Sequence, residues 1–294
     1  MHNECYSTEH IPNSEVGKIF DGILTKIYKA ILAEYQEEIN SSLKNSDDLY
    51  YWALAMLNKY RIQYYSALTL TYKKSESTFE SNKFLDITSI HNIIRSCYET
   101  YLIFDYIYIQ PENNDEERRL RILLYKYDGY YWVVKNEKKG TENYNNAQKF
   151  KNDILKQISK NIIFKNKKIE DRRQILIDCR WKPSYREIAG KTEFSKLNSS
   201  WQYSMLSMYA HNSFVALRTV NGYYWSNYTD YNVDCINCHL YEMTTLIIID
   251  LMRLFHKINL KKILTNDEWA IMGEFRYMAQ LKDVTNQKNT DNVN

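Results

Sequence analysis

Apolar positions recur with helical spacing along most of the chain. Val16, Ile19, Phe20, Ile23, Leu24, Ile27, Tyr28 and Ile31 follow a three-one rhythm, which lays one apolar stripe along an α-helix. Ser14 offers an N-cap and Glu15 a first-turn carboxylate, so a helix is predicted over 14–42. Asn45, Ser46, Asp47 and Asp48 break the pattern, and Leu49, Trp52, Met56, Leu57, Tyr60, Tyr64 and Leu68 restart it. Two long helices with so short a link are expected to pack antiparallel. The same reading predicts helices over 84–110 (ended by Pro111), 115–135, 143–166, 170–179, 199–220, 240–258 and 266–281, with a short one near 185–189. The 84–110 segment is apolar on most sides and is expected to be central. Seven Gly and three Pro are too few for a turn-rich sandwich or barrel. The expected architecture is all-α: a single helical domain of about eight helices over 14–282, between a flexible N-terminus (1–13) and a flexible C-terminal tail (283–294).

Two polar rows interrupt this pattern. In the stretch 201–220, WQYSMLSMYAHNSFVALRTV, Tyr203, Ser207 and His211 are each four residues apart, so they stack on one helix face among Met205, Leu206 and Met208. In 94–104, IRSCYETYLIF, Arg95 and Glu99 repeat that spacing between Ile94, Cys97, Tyr98 and Leu102. Charges in such company need partners. A structural ion pair meets the need, and so does a cleft in which Arg95 holds an anionic ligand and Glu99 orients it. For His211 the alternatives are a satisfied core histidine and a general acid/base. No Gly-rich elbow surrounds Ser207, which speaks against a serine hydrolase. Histidine acid/base chemistry beside an arginine suits cleavage of a phosphodiester by the ribose 2′-hydroxyl.

Charge sharpens this expectation only regionally. The chain carries 39 Lys and Arg against 36 Asp and Glu, net +3. Residues 135–173 hold ten Lys and two Arg against three Glu and two Asp, which is +7 and leaves −4 elsewhere. A basic segment meets phosphate or is simply a solvated helix face. Lys149, Lys156 and Lys160 are the candidate nucleic-acid contacts, with RNA as partner. Trp225, in the aromatic stretch Tyr223, Tyr224, Trp225, Tyr228 and Tyr231, is the candidate stacking residue; packing within the protein or a homodimer contact is the competing use of that stretch. The 27 tyrosines read chiefly as core residues with a polar tip.

The residues RSCYE (Arg95 to Glu99), Trp181, the run Arg186 to Gly190 and YSMLSMYAH (Tyr203 to His211) resemble a large family of bacterial helical proteins of unassigned activity. Its signature is an Arg-x-x-x-Glu helix and a later Tyr-x-x-x-Ser-x-x-x-His helix, matched here by Arg95, Glu99, Tyr203, Ser207 and His211. That family is distantly similar to HEPN proteins, which include RNase toxins and phage-defence effectors. The resemblance implies a HEPN-like core with extra helices and these five residues as the catalytic set: His211 as acid/base, Arg95 on the phosphorane charge, Glu99 and Tyr203 as orienting groups. The chain departs from HEPN ribonucleases in one respect: they place a histidine four to six residues after an arginine, and no such pair occurs here. The ribonuclease expectation therefore rests on His211. The alternative is a non-enzymatic interaction or ligand-binding module whose polar cluster is structural.

Cys235, Cys238 and His239 form a CxxCH string, the pattern of haem attachment in exported proteins. No apolar run of signal-peptide length follows Met1, and a zinc site lacks further ligands nearby. The expectation is buried thiols at a helix start, no metal and no cofactor. Five cysteines in no paired pattern, and no apolar run of membrane-spanning length, predict a cytoplasmic protein without membrane contact.

Overall fold

The computed structural model describes residues 13–45, 49–72, 75–76, 83–84, 86–112, 114–177, 180–194, 196–210, 213–214, 216–218 and 230–281. The stretches 1–12 and 282–294 lie outside them, and with them nearly all of both expected tails. Apart from one two-residue antiparallel pairing, Ser75–Glu76 with Lys83–Phe84, the described chain is helical. None of its helices is long and apolar enough to cross a membrane.

The sequence shows no linker, yet the fold separates into two compact units. The first joins the chain up to Asp105 with the chain from Tyr185 onward. It holds α1 (Asn13–Glu34), α2 (Gln36–Asn45), α3 (Leu49–Tyr72), α4 (Ile87–Phe104), α9 (Tyr185–Ala189), α10 (Lys196–Ala210), α11 (Asp230–Leu254), α12 (Leu260–Ile263) and α13 (Asn266–Leu281). The second, Tyr106–Ser184, holds α5 (Asp115–Asn136), α6 (Glu142–Lys160), α7 (Ile162–Asn166) and α8 (Ile169–Ile177).

In the first unit α4 is the central element. It packs against α3, α9, α10 and α11, and Ile90, Ile94, Cys97, Tyr98, Tyr101, Leu102 and Phe104 are all buried. Asp86 starts it by accepting the Ser89 amide hydrogen bond at 3.0 Å, a side-chain N-cap. The expected helix over 84–110 is shorter as an α-helix, because the backbone widens into a π-helical turn over Asp105–Ile109. The turn begins at a buried carboxylate, Asp105.

The core is rich in tyrosine, and several of the hydroxyls reach specific partners. Tyr60 meets Thr244 Oγ1 at 2.9 Å, Tyr64 donates to the Gly17 carbonyl at 3.1 Å, and Tyr72 meets Tyr241 at 3.2 Å while accepting from Asn237 Nδ2 at 2.9 Å. A buried phenol left unpaired costs roughly 1–3 kcal/mol, so these bonds let tyrosine serve where phenylalanine is usual. Gly17 makes room beside the Tyr72–Tyr241 pair: a Cβ there would lie 2.9 Å from the Tyr241 hydroxyl and 2.9 Å from Leu68 Cδ2.

In the second unit the expected helix over 143–166 is divided at Asn161. The Asn161 side chain accepts from the Ile163 and Phe164 amides at 3.0 and 3.1 Å and donates to the Glu116 carbonyl at 3.1 Å. This caps α7 and ties it to the start of α5, a local competition that apolar periodicity does not register. Likewise the helix expected over 14–42 is two elements, α1 and α2, and the one expected from 240 begins at Asp230.

A buried carboxylate group lies at the C-terminal end of α4 and on α11. Asp250 is buried, as is Asp105. Burial first, then the Asp105 charge, pushes the Asp250 carboxyl up to about 8. Arg253 Nη1 donates to Asp250 at 3.0 Å and opposes the shift; Arg253 also pairs with Glu193, which Arg276 reaches at 3.4 Å. A folded pKa above the unfolded value of about 3.9 means the folded state holds the extra proton. This group's contribution to stability is therefore full at low pH and is lost between about pH 4 and pH 8. Asp250→Asn, which cannot ionise, should remove that decline, so that unfolding free energy in denaturant titrations at successive pH values falls less steeply than in the parent; the same slope in both proteins contradicts the assignment.

Candidate functional site

The α4 row is built by helix geometry alone: residues four apart share a face. Arg95 Nε donates to Glu99 Oε1 at 2.9 Å, and the two side chains keep 18% and 29% of their exposure. The pair is therefore half-buried, as the apolar neighbours predict. Burial works against the Arg95 charge, but the Glu99 bond and charge together with the Tyr203 side chain outweigh it and raise the pKa above the usual value. The guanidinium is permanently charged.

Tyr203 of the α10 row comes to the same place because α10 packs along α4. The Arg95 guanidinium carbon lies 5.5 Å from the centre of the Tyr203 ring, within cation–π range, and the Tyr203 side chain also hydrogen-bonds it. Tyr203 is held in turn by rings on two sides, Tyr98 at 6.3 Å and Tyr185 at 5.9 Å. Phe194 backs Tyr98 at 6.1 Å and Tyr101 at 6.2 Å. One turn along α10 from Tyr203, the Ser207 hydroxyl oxygen is buried and has no hydrogen-bond partner among the described residues. The seam thus brings Arg95 and Glu99 together with Tyr203 from two helices about a hundred residues apart, with Ser207 one turn along α10.

Two of the expected site residues, His211 and Trp225, lie outside the described residues, as does most of the aromatic stretch. Lys149, Lys156 and Lys160 are exposed on α6, in the other unit from the seam. Cys238 and His239 lie well inside α11, not at a helix start as expected, and Cys238 is half-buried. Among the described residues, no group of three or more His, Cys, Asp or Glu is placed to hold a metal ion.

The sequence reading missed a second polar layer beside the seam. His91 lies one turn before Arg95 and is buried. Its ring stacks on Tyr209 of α10 with centroids 3.8 Å apart and planes 21° apart. His91 Nδ1 is 2.7 Å from the Ile87 carbonyl oxygen; a carbonyl only accepts, so Nδ1 carries the proton. Burial, with a smaller contribution from the His239 charge, brings the His91 pKa down to about 4. His239 Nδ1 lies 3.4 Å from Oε2 of the buried Glu242. The signal available in the sequence was the spacing His91, Arg95, Glu99, a row of three polar residues in steps of four.

His91 has a pKa lower in the folded state than the usual 6.5. The stability tied to its neutral form is therefore complete above about pH 6.5 and is lost as pH falls toward 4. His91→Phe keeps a ring against Tyr209 but cannot protonate. The variant should show a shallower loss of melting temperature between pH 6.5 and pH 4 than the parent. Parallel pH profiles would contradict a buried neutral imidazole.

No family model matches the chain, and comparison with curated proteins and with solved structures finds no significant match.

Proposed function

We propose that the chain is a HEPN-like nucleic-acid effector whose α4–α10 seam takes a phosphate group. The observation that carries the reading is the half-open state of Arg95. Glu99 takes its Nε edge, so the guanidinium is anchored and oriented, while Tyr203 supports its plane. The terminal nitrogens are the edge with which arginine binds phosphate in bidentate fashion, and here a phosphate would share the guanidinium with the Tyr203 hydrogen bond. The Ser207 hydroxyl, buried and without a hydrogen-bond partner among the described residues, supplies a further group whose hydrogen bond a bound phosphate oxygen would complete.

In the ribonuclease form of this reading, His211 takes the proton from a ribose 2′-hydroxyl, whose oxygen attacks the neighbouring phosphorus. The 5′-oxygen departs and takes up a proton, leaving a 2′,3′-cyclic phosphate. Arg95 holds the charge that builds on the phosphoryl oxygens, and Glu99 and Tyr203 keep Arg95 in place. The setting that accompanies such an activity is phage defence or a toxin system. A second reading, a non-enzymatic ligand-binding or interaction module, is favoured by the neutral His91 and by the internal neutralisation of Arg95 by Glu99.

Cleavage of RNA and its 3′ termini decide between these readings. The parent protein should leave 2′,3′-cyclic ends, and His211→Ala should lower the rate by roughly 10²–10⁴-fold, the usual contribution of an acid/base group. Arg95→Lys should fail to restore what Arg95→Ala loses, because an ammonium lacks the two-pronged edge. Absence of cleavage by the parent, with a lower melting temperature in Arg95→Ala, contradicts the ribonuclease and supports the non-enzymatic module.

A further inference from the structure

The charge asymmetry of the chain follows the division into units. Residues 106–184 carry eighteen Lys and Arg against eleven Asp and Glu, net +7, while the rest of the chain is net −4. Within this basic unit the acidic side chains of the first turns of α5 are already used. Asp115, Glu116 and Glu117 pair with Arg118, Arg119 and Arg121 at 2.8, 3.3 and 2.8 Å. The uncompensated positive charge therefore lies further along, in the turn after α5 and on α6 to α8.

On α6 the core face is set by Ala147, Ile154 and Ile158, all buried. Lys149, Lys156 and Lys160 are spaced seven and four residues apart, so they form one exposed row about 16 Å long at 1.5 Å per residue. Only Lys156 has a described carboxylate, Asp153 at 3.0 Å, with 73% and 48% of the two side chains exposed. A pair so exposed contributes little and yields readily to a competing anion.

Beside this row Phe150 breaks the polar pattern. Half of its surface, 50%, is open to solvent, and its ring is stacked on Tyr130 of α5, 5.3 Å between centroids and 26° between planes. A single exposed phenylalanine needs no explanation. A ring already held parallel to another, next to a row of lysines, is a different arrangement. It is a stack of two that a third flat group can extend, with the phosphates that accompany a nucleobase falling within reach of ammonium groups.

We propose that the α5–α6 hairpin binds single-stranded nucleic acid, with an unpaired base extending the Tyr130–Phe150 stack and the phosphodiester backbone following Lys149, Lys156 and Lys160. Net charge selects a polyanion over an ordinary protein surface. The open ring selects single strands over duplex, since paired and stacked bases do not present a face. Because every base has such a face, binding is tolerant of sequence. The inference rests on the nucleic-acid reading of the protein but uses none of the α4–α10 residues, so the two stand or fall separately.

The test is fluorescence anisotropy of the full chain with a short labelled single strand and with its duplex, across a salt series. The parent should bind the single strand more tightly than the duplex. Phe150→Leu, which keeps an apolar side chain but removes the stack, should weaken single-strand binding by about tenfold with an unchanged salt slope. Phe150→Trp should bind at least as well as the parent. Replacing Lys149, Lys156 and Lys160 together by Gln should lower both affinity and salt slope. Equal affinities for Phe150→Leu and the parent, or a duplex bound as tightly as the single strand, overturn the proposal while leaving the seam reading intact. Phe150-dependent binding in a protein that cleaves no RNA, with Arg95→Ala binding like the parent, overturns the seam reading and supports the hairpin. A parent that binds neither strand form overturns the hairpin proposal, and RNA cleavage then decides the seam reading by itself.

Discussion

The structure of the first unit depends on how one permanent charge is kept inside a helical seam. Arg95 projects from α4, the most enclosed helix, toward α10, and a guanidinium in that position cannot shed its charge. Its cost is met on one edge by Glu99, 2.9 Å away one turn along the same helix, and on its face by the Tyr203 ring. An exposed pair at this spacing would contribute only a few tenths of a kcal/mol. Here, removing either partner would leave a half-buried ion exposed to the full penalty of poor solvation. The surrounding rings, Tyr98, Tyr185 and Phe194, fix Tyr203 and therefore fix Arg95. Such rigidity is what a phosphate site requires, since anchoring a donor in advance lowers the ordering cost of binding.

The same unit shows how a tyrosine-rich core is made workable. Apolar ring and polar tip are served separately: rings stack, as Phe20 does on Tyr241 at 5.4 Å, while hydroxyls find Thr244, Gly17 or one another. The titratable groups left inside respond in opposite senses. Burial keeps His91 neutral and holds a proton on Asp250. Both avoid a bare charge in the core.

Much of this was legible in the sequence, for reasons that can be stated residue by residue. Apolar periodicity located the stripe of α1, where Phe20, Ile23, Leu24, Ile27 and Ile31 are all buried, and the enclosure of α4. Four-residue spacing revealed the Arg95–Glu99 pair. Spacing says nothing of which helices meet, so the approach of Tyr203 to Arg95 was an inference from shared polarity. His91 continues the Arg95–Glu99 row one turn back, a spacing that marks the shared face but not the burial; stacking on Tyr209 is a tertiary fact. The break at Asn161 was hidden because a side-chain cap competes locally with a helix that periodicity would continue. The division into two units left no composition signal of a linker, only the change in charge from −4 to +7.

The central proposal is that Arg95, held by Glu99 at Nε and by Tyr203, binds phosphate through its terminal nitrogens. The direct measurement is the ¹⁵N–¹H resonance of the Arg95 Nε–H group during titration with inorganic phosphate. The Glu99 bond should make the resonance visible and slow to exchange with water, and phosphate should shift it along a saturating curve that Ser207→Ala weakens. A resonance that stays in place while only α6 signals respond would contradict the claim and leave the seam as a structural ion pair.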